Sequence, residues 1–144
     1  MPTGIKKDPY RAFRFRIEID GITAACFSDV SGLQIETKTD SYEEGGVNDF
    51  VHYFPKRTKY QHLTLKRGLS DSDELWKWYK EVISGKFKRK NGSIILMDSA
   101  GEDVWRWNFV SAYPVKWIGP DFKAETNSIA FETIEIVHNG IKKG

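Results

Sequence analysis

From Arg11 to Asp20 the chain alternates without a break, with Phe13, Phe15, Ile17 and Ile19 on one side and Arg14, Arg16, Glu18 and Asp20 on the other. A period of two is the mark of a strand with one buried and one solvated face, and its recurrence along the chain sets the fold class. Asp20-Gly21 supplies a turn, and Ile22 to Phe27 returns as a second strand. Leu33 to Tyr42, introduced by Ser31-Gly32, sets Leu33 and Ile35 against Gln34, Glu36, Lys38 and Asp40, and its apolar side passes into Thr37 and Thr39. Threonine keeps the strand propensity while burial weakens. Tyr60 to Lys66 sets Leu63 and Leu65 against His62, Thr64 and Lys66, and Gly68 closes it. Ser93 to Asp98 and Val104 to Ala112 flank Ser99-Ala100-Gly101-Glu102 as a hairpin, and Pro114 and Gly119-Pro120-Asp121 mark corners. Between Asn127 and His138 the apolar positions move from Ile129 and Phe131 to Ile134 and Ile136. This phase switch predicts a bulge, or a strand passing from one sheet to another.

One segment has helical spacing. Leu75, Tyr79, Val82 and Ile83, with Trp76 beside them, form a stripe opposite Lys77, Lys80 and Glu81. Ser70 or Ser72 can cap it, Asp71, Asp73 and Glu74 complement the dipole of its first turn, and Gly85 stops it. Phe87 then lies among Lys86, Lys88, Arg89 and Lys90, leading to a turn at Asn91-Gly92. The composite is a mainly β single domain over residues 1–144: an antiparallel sandwich or barrel of about seven or eight short strands with one helix packed outside.

The stretch Glu43 to Lys59 breaks the pattern at Glu43-Glu44-Gly45-Gly46, Asn48-Asp49 and Pro55, and is long for a hairpin connection. It carries Val47, Phe50, Val51, Tyr53 and Phe54, which a purely solvated loop does not need, so it reads as a protruding docking arm. The 144 residues, 40% hydrophobic and 14% aromatic, suffice for a core without metal or disulfide. A net charge of +2 and a pI near 8.6 argue against a dedicated nucleic-acid binder, which usually has a pI above about 9 and a basic stripe.

Cys26 is alone, which excludes an intrachain disulfide and a cysteine-clustered zinc site, and Ala24, Ala25 and Phe27 around it suit a small core residue. The opening MPTGIKKDPYRAF has no apolar run of the signal-peptide kind, so synthesis in the cytoplasm is expected, with exit by lysis or a dedicated machine. His52, His62 and His138 lie on separate segments without metal-ligand spacing. Gly45-Gly46 lacks the lysine and following helix of a phosphate loop, and Ser31-Gly32 and Ser99-Ala100-Gly101 are turn chemistry. No catalytic residue, metal or cofactor is therefore expected. The cluster Lys86 to Lys90 suits either polyanion contact or a helix end favoured by the dipole, and with Glu43 and Glu44 it suits contact between subunits. A competing reading is a monomeric β-barrel binding module for nucleic acid or another ligand.

Several segments together carry a resemblance. Asp8-Pro9-Tyr10-Arg11-Ala12-Phe13-Arg14-Phe15, Phe27-Ser28-Asp29-Val30-Ser31-Gly32-Leu33, Leu65-Lys66-Arg67-Gly68 before a Trp-bearing helix, Trp107-Asn108-Phe109, Ala112-Tyr113-Pro114 and Glu132-Thr133-Ile134-Glu135-Ile136-Val137-His138 follow in order. In order and spacing, from about Tyr10 to Ile141, the chain resembles the tail tube proteins of contractile phages and the inner tube proteins of extracellular contractile injection systems, relatives of the type VI secretion tube protein.

The resemblance implies two packed antiparallel sheets forming a β-barrel with one flanking α-helix. It implies homo-hexameric rings that stack into a rigid hollow tube, driven through a target envelope when a surrounding sheath contracts, with no catalytic residue. The implied partners are the sheath protein, baseplate and spike or hub proteins, tape-measure and tail-terminator proteins, and cargo DNA or protein effectors in the lumen, with no membrane insertion by the monomer. The implied location is a phage virion tail, or an extracellular or cytoplasmic injection particle, assembled in the cytoplasm. By the same resemblance the loop 43–59 reaches a neighbouring ring through Gly45, Gly46, Val47, Asn48, Phe50, Tyr53 and Phe54. The polar faces beside it, Gln34, Glu36, Lys38, His62, Thr64 and Lys66, are expected to line the lumen.

Overall fold

The alternating segments become antiparallel pairs throughout. The computed structural model describes residues 14–25, 27–42, 51–124 and 128–144, with backbone alone for 23–25. Its elements are β1 (Phe15–Ile19), β2 (Ile22–Ala25), β3 (Phe27–Ser31), β4 (Ile35–Tyr42), β5 (His52–Tyr60), β6 (Leu63–Gly68), α1 (Glu74–Ile83), β7 (Lys90–Met97), β8 (Asp103–Ile118), β9 (Phe131–Val137) and β10 (Ile141–Lys143). Eight strands form one sheet in the order β2-β1-β7-β8-β9-β6-β3, with β10 also on β8, and among the described residues β4 and β5 pair only with each other. Among the described residues the hydrogen-bonded path runs from β2 to β3. In the chain those ends are separated by residue 26 alone.

The sheet folds over on itself around one core. Ile17 and Ile19 from β1, Ile94 from β7 and Phe109 from β8 meet Phe27 from β3, Leu63 and Leu65 from β6, and Ile134 and Ile136 from β9, with Leu75 and Trp78 of α1 completing the cluster. The folding depends on β8. Sixteen residues long, it would span about 50 Å if straight, too far for one small core. Its first half pairs with β7 and its second half with β9. The change comes at Ser111, where φ is 54° and where Val110 and Ser111 together oppose Asn91. The Ser111 amide donates to Asn91 Oδ1 at 3.0 Å. The buried positions of β8 accordingly shift from Phe109 to Ala112 and Pro114.

The phase switch expected within the last strand is absent, and the change of face occurs instead in β8, where the sequence pattern does not announce it. β9 runs in unbroken register with β6 and buries Glu132, Ile134 and Ile136, while Ile129 lies before the strand and is exposed. Its inward face begins with a carboxylate, which the hydrophobic pattern could not reveal. Pro114 is a strand residue rather than a corner, at a register shift that spares the ladder its missing donor. Asn91-Gly92 is not a turn but part of β7, where glycine is required because a Cβ would overlap the Phe109 ring and approach the Glu18 carbonyl oxygen at 2.6 Å.

Helix α1 stops as expected. Gly85 has φ +78°, and its amide donates to the Val82 carbonyl at 3.0 Å. Its N-cap is Asp73, without a side-chain cap bond, rather than Ser70 or Ser72. Its buried stripe is Leu75 and Trp78, flanked by half-buried Tyr79 and Val82, whereas Ile83 faces out. The stretch 43–59 is not one loop either. Residues 52–59 belong to β5, which pairs antiparallel with β4.

Candidate assembly surfaces

The β4–β5 hairpin is the main feature lying outside the core. Of its strand residues only Asp40, His52 and Tyr60 are partly covered, and the rest are exposed. Cross-strand contacts hold it: Thr37 and Thr58 hydroxyls at 3.0 Å, Lys56 Nζ to Asp40 Oδ2 at 3.1 Å, and Tyr42 stacked on His52 at 5.0 Å with Phe54 at 6.1 Å. The pairing Asp40↔Phe54 and Tyr42↔His52 puts Tyr42 and Phe54 on one face, and Ser41↔Tyr53 puts Tyr53 on the other. Both faces of the distal end are therefore aromatic, with Tyr53 70% exposed.

The root of the hairpin is fixed to the sheet. The Gln61 amide donates to the Gln34 carbonyl at 3.2 Å, and the Gln61 carbonyl accepts from His138 Nε2 at 3.0 Å. His138 Nδ1 accepts from the Gly140 amide at 3.1 Å, which assigns the neutral Nε2–H tautomer. The ring meets Tyr60 edge-on at 5.7 Å. Burial, outweighing the backbone hydrogen bonds to Gln61 and Gly140 that act the other way and aided by the nearby His62, pushes the His138 pKa below the usual histidine value.

The six residues expected to line the lumen fall into two groups. Gln34, Glu36 and Lys38 are exposed on the hairpin and the link into it. Thr64 and Lys66 lie on the outward side of β6, opposite buried Leu63 and Leu65, and exposed His62 immediately precedes the strand. There, Thr64 pairs with Ser31 and Glu135, and Lys66 with Asp29 and Thr133. His62 Nδ1 donates to Glu135 Oε1 at 2.9 Å, and Lys66 Nζ stands 3.9 Å from Asp29 Oδ2 and 4.7 Å from the Phe131 ring. The result is a continuous polar face across β3, β6 and β9 with both signs of charge. Of the expected stacking residues, Tyr53 and Phe54 are exposed on the hairpin, while Gly45, Gly46, Val47, Asn48 and Phe50 lie outside the described residues, as does Cys26.

Behind the polar face is a pair that the alternation did not disclose. Arg67 Nε donates to Glu132 Oε1 at 2.6 Å, and both residues are at most 3% exposed. Trp117 Nε1 donates to Glu132 Oε2 at 3.2 Å. The signal was present as phase: Arg67 continues Leu63-Leu65 inward, and Glu132 precedes Ile134-Ile136. Among the described residues no group of three His, Cys, Asp or Glu is placed to hold a metal, and no described helix is long and apolar enough to cross a membrane.

Comparison with known proteins agrees with a chain built for assembly. The family model for T4-like virus tail tube protein gp19 matches residues 11–142. A chain of an extracellular contractile injection system, the PVC sheath–tube complex in its extended state, is 28% identical over 94% of this chain and 91% of its own, with a TM-score of 0.84. A chain of the six-fold symmetrised baseplate of the anti-feeding prophage is 22% identical over 96% of this chain and 97% of its own, with a TM-score of 0.87. Hcp1 from Flavobacterium johnsoniae is 20% identical over 90% of this chain and 94% of its own, with a TM-score of 0.63. The last two bear on the fold alone. No curated protein sequence matches the chain significantly.

Proposed function

The chain belongs to the T4-like virus tail tube protein gp19 family, and from that membership we propose that it is a structural subunit of the inner tube of a contractile tail or injection machine. Rings of six subunits stack into a hollow conduit inside a sheath, and contraction of the sheath drives the conduit through a target envelope. The work is mechanical and involves no catalytic step on this chain.

The observation that carries the reading is the hairpin. An isolated two-stranded ribbon is at best marginally stable in water, yet this one is long, detached from the main sheet and aromatic on both faces of its distal end. Such a ribbon acquires its missing burial from a second copy, and its unpaired edges suit strand addition between subunits. A monomeric binding module would leave it solvated. The single residue between β2 and β3 supports a further step: the two act as one strand and close the circuit into a barrel. Of the expected lumen residues, Thr64 and Lys66 share a mixed-charge face with Thr133 and Glu135 of β9, and this face suits passage of DNA or protein cargo, because balanced charge does not trap a polyanion.

The test removes the distal hairpin or its aromatics. Deletion of 46–54, or Tyr42→Ser with Tyr53→Ser and Phe54→Ser, leaves the far-ultraviolet spectrum and unfolding transition of the subunit intact and abolishes long tubes in negative-stain electron microscopy. Unchanged tubes would refute the docking role. In assembled wild-type-length tubes, Thr64→Cys reacts with a small maleimide and not with one coupled to a folded protein too large to enter; equal reaction with both would reject this lumen face.

A further inference from the structure

The hairpin and the polar face leave the outer side of α1 and the segment after it without a task, and their charge is unusual for this chain. Residues 74–90 contain six basic and two acidic residues, although the whole chain carries only +2. The rest of the protein is therefore net acidic, and the positive charge is gathered on one helix and its exit. Lys77 is held by Asp73 at 3.4 Å, Lys80 Nζ lies over Trp76 at 5.5 Å, and Arg89 lies over Tyr113 at 4.7 Å, with Phe87 against the same ring at 5.0 Å. Lys86 and Lys88 are exposed, with no acidic partner among the described residues.

The same side of the helix is not purely polar. Trp76, Lys80 and Ile83 recur at helical spacing on an exposed face, with Ile83 63% exposed, where a merely solvated face would carry neither tryptophan nor isoleucine. Trp76 meets Trp117 edge-on at 4.7 Å, and the two line an open cleft of about 320 Å³ with Leu69, Asp73 and Glu132. An apolar cleft thus lies at one end of a ten-residue helix and uncompensated cations at the other, about 15 Å apart.

We propose that this face docks an acidic protein segment bearing an apolar anchor residue, and that in the particle the segment belongs to the sheath subunit. The second half rests on the tube reading; the first does not. A duplex nucleic acid would answer Lys86 and Lys88 but offers nothing to Ile83 or to the tryptophan cleft, which favours a protein. Cation clusters steer an acidic partner, and the aromatic and aliphatic contacts retain it.

The probe is a fluorescein-labelled glutamate-rich peptide with a single leucine, titrated by anisotropy against the full-length protein, soluble or as tubes. Binding falls as salt rises, is lost when the glutamates become glutamines, and weakens by roughly tenfold or more in Lys86→Glu with Lys88→Glu. It also weakens in Ile83→Ser, an exposed change that leaves the fold intact. Both variants still form tubes of normal length. Equal binding by wild type and the lysine variant would overturn the proposal. So would displacement of the peptide by an equal or lower concentration of short duplex DNA, which would make the face a nucleic-acid surface. Loss of tubes in the lysine variant would overturn it too, since the patch would then act between copies. A wild-type protein that forms no tubes would defeat the tube reading while leaving the peptide result on the soluble subunit to stand.

Discussion

Replacing Glu132 by glutamine should be among the most damaging near-isosteric changes available to this protein. Glu132 and Arg67 are 1% and 3% exposed, joined at 2.6 Å, and the Arg67 guanidinium lies 5.7 Å from the Phe27 ring. Glu132→Gln keeps the shape and an acceptor for Trp117 Nε1 but strands a buried cation. Removing one partner of a buried ion pair costs about 3–5 kcal/mol. For a chain of this size that corresponds to a fall in melting temperature of about 6–20 °C. The assay is urea unfolding followed by circular dichroism at one protein concentration, because assembly would add a concentration-dependent contribution. The companion variant, Arg67→Met with Glu132→Leu, removes both charges and leaves only the Trp117 N–H unpartnered, a cost of about 1–3 kcal/mol. It should therefore be more stable than Glu132→Gln or Arg67→Met alone. A loss below about 1 kcal/mol in Glu132→Gln, or a double variant no better than the single ones, would refute the account of a buried, mutually dependent pair.

Three other outcomes follow from the geometry. Burial lowers the folded-state pKa of His138, so the unfolded chain takes up this proton more readily; the stability it contributes is whole above the usual histidine value and is lost as pH falls through the lowered one. Urea midpoints measured from about pH 7.5 to about pH 4.5 should fall less steeply in His138→Gln than in wild type, and parallel curves would contradict this. Gly92→Ala should cost about 1–3 kcal/mol through overlap with Phe109, and Phe109→Leu should show favourable coupling with it in a double-mutant cycle. Gly85→Ala meets no neighbour and should cost about 1–2 kcal/mol through left-handed backbone strain alone, with Gly85→Asn milder and no coupling to any neighbouring side chain.

Strand and helix identities were legible where one face is apolar along its whole length, as in Phe15–Ile19, Leu63–Leu65 and the Leu75 stripe. They were obscured wherever a charged residue takes an inward position. Glu132 broke the apparent phase of β9, and because its partner Arg67 lies on a strand distant in the chain, no local pattern could pair them. The bulge expected in the last strand is not there, and the one in β8 is invisible to local pattern because Ser111 carries the positive φ and its stabiliser, Asn91, is supplied by β7. In sequence the hairpin resembles a loop because its strands bury almost nothing, and alternation is visible only where burial selects for it. The six expected lumen residues are neighbours along the chain, whereas register unites Thr64 and Lys66 with Glu135 and Thr133 from β9, and a hydrogen bond adds His62.

The division between folding and assembly then follows the elements. The buried cluster draws on β1, β3, β6, β7, β8, β9 and α1, and takes nothing from β4 or β5. A residue that contributes nothing to the core is free to be optimised for a neighbour, and its replacement tests assembly without testing folding. The converse holds at the root. His138 binds the ribbon to the sheet through one hydrogen bond to Gln61 and a ring contact with Tyr60, and the Gly140 amide holds the imidazole through its other nitrogen, so the direction in which the hairpin leaves the subunit is set by residues that do not themselves need to touch another copy. A weakened root should therefore lower the regularity of tubes before it lowers the stability of the subunit. Truncation of the distal aromatics should leave the hairpin's direction unchanged and abolish stacking outright. Tyr60→Ala and Tyr53→Ala separate the two, the first giving tubes of disordered repeat and the second giving no tubes. If both produced the same defect in electron micrographs, direction and adhesion would not be separable functions of this hairpin.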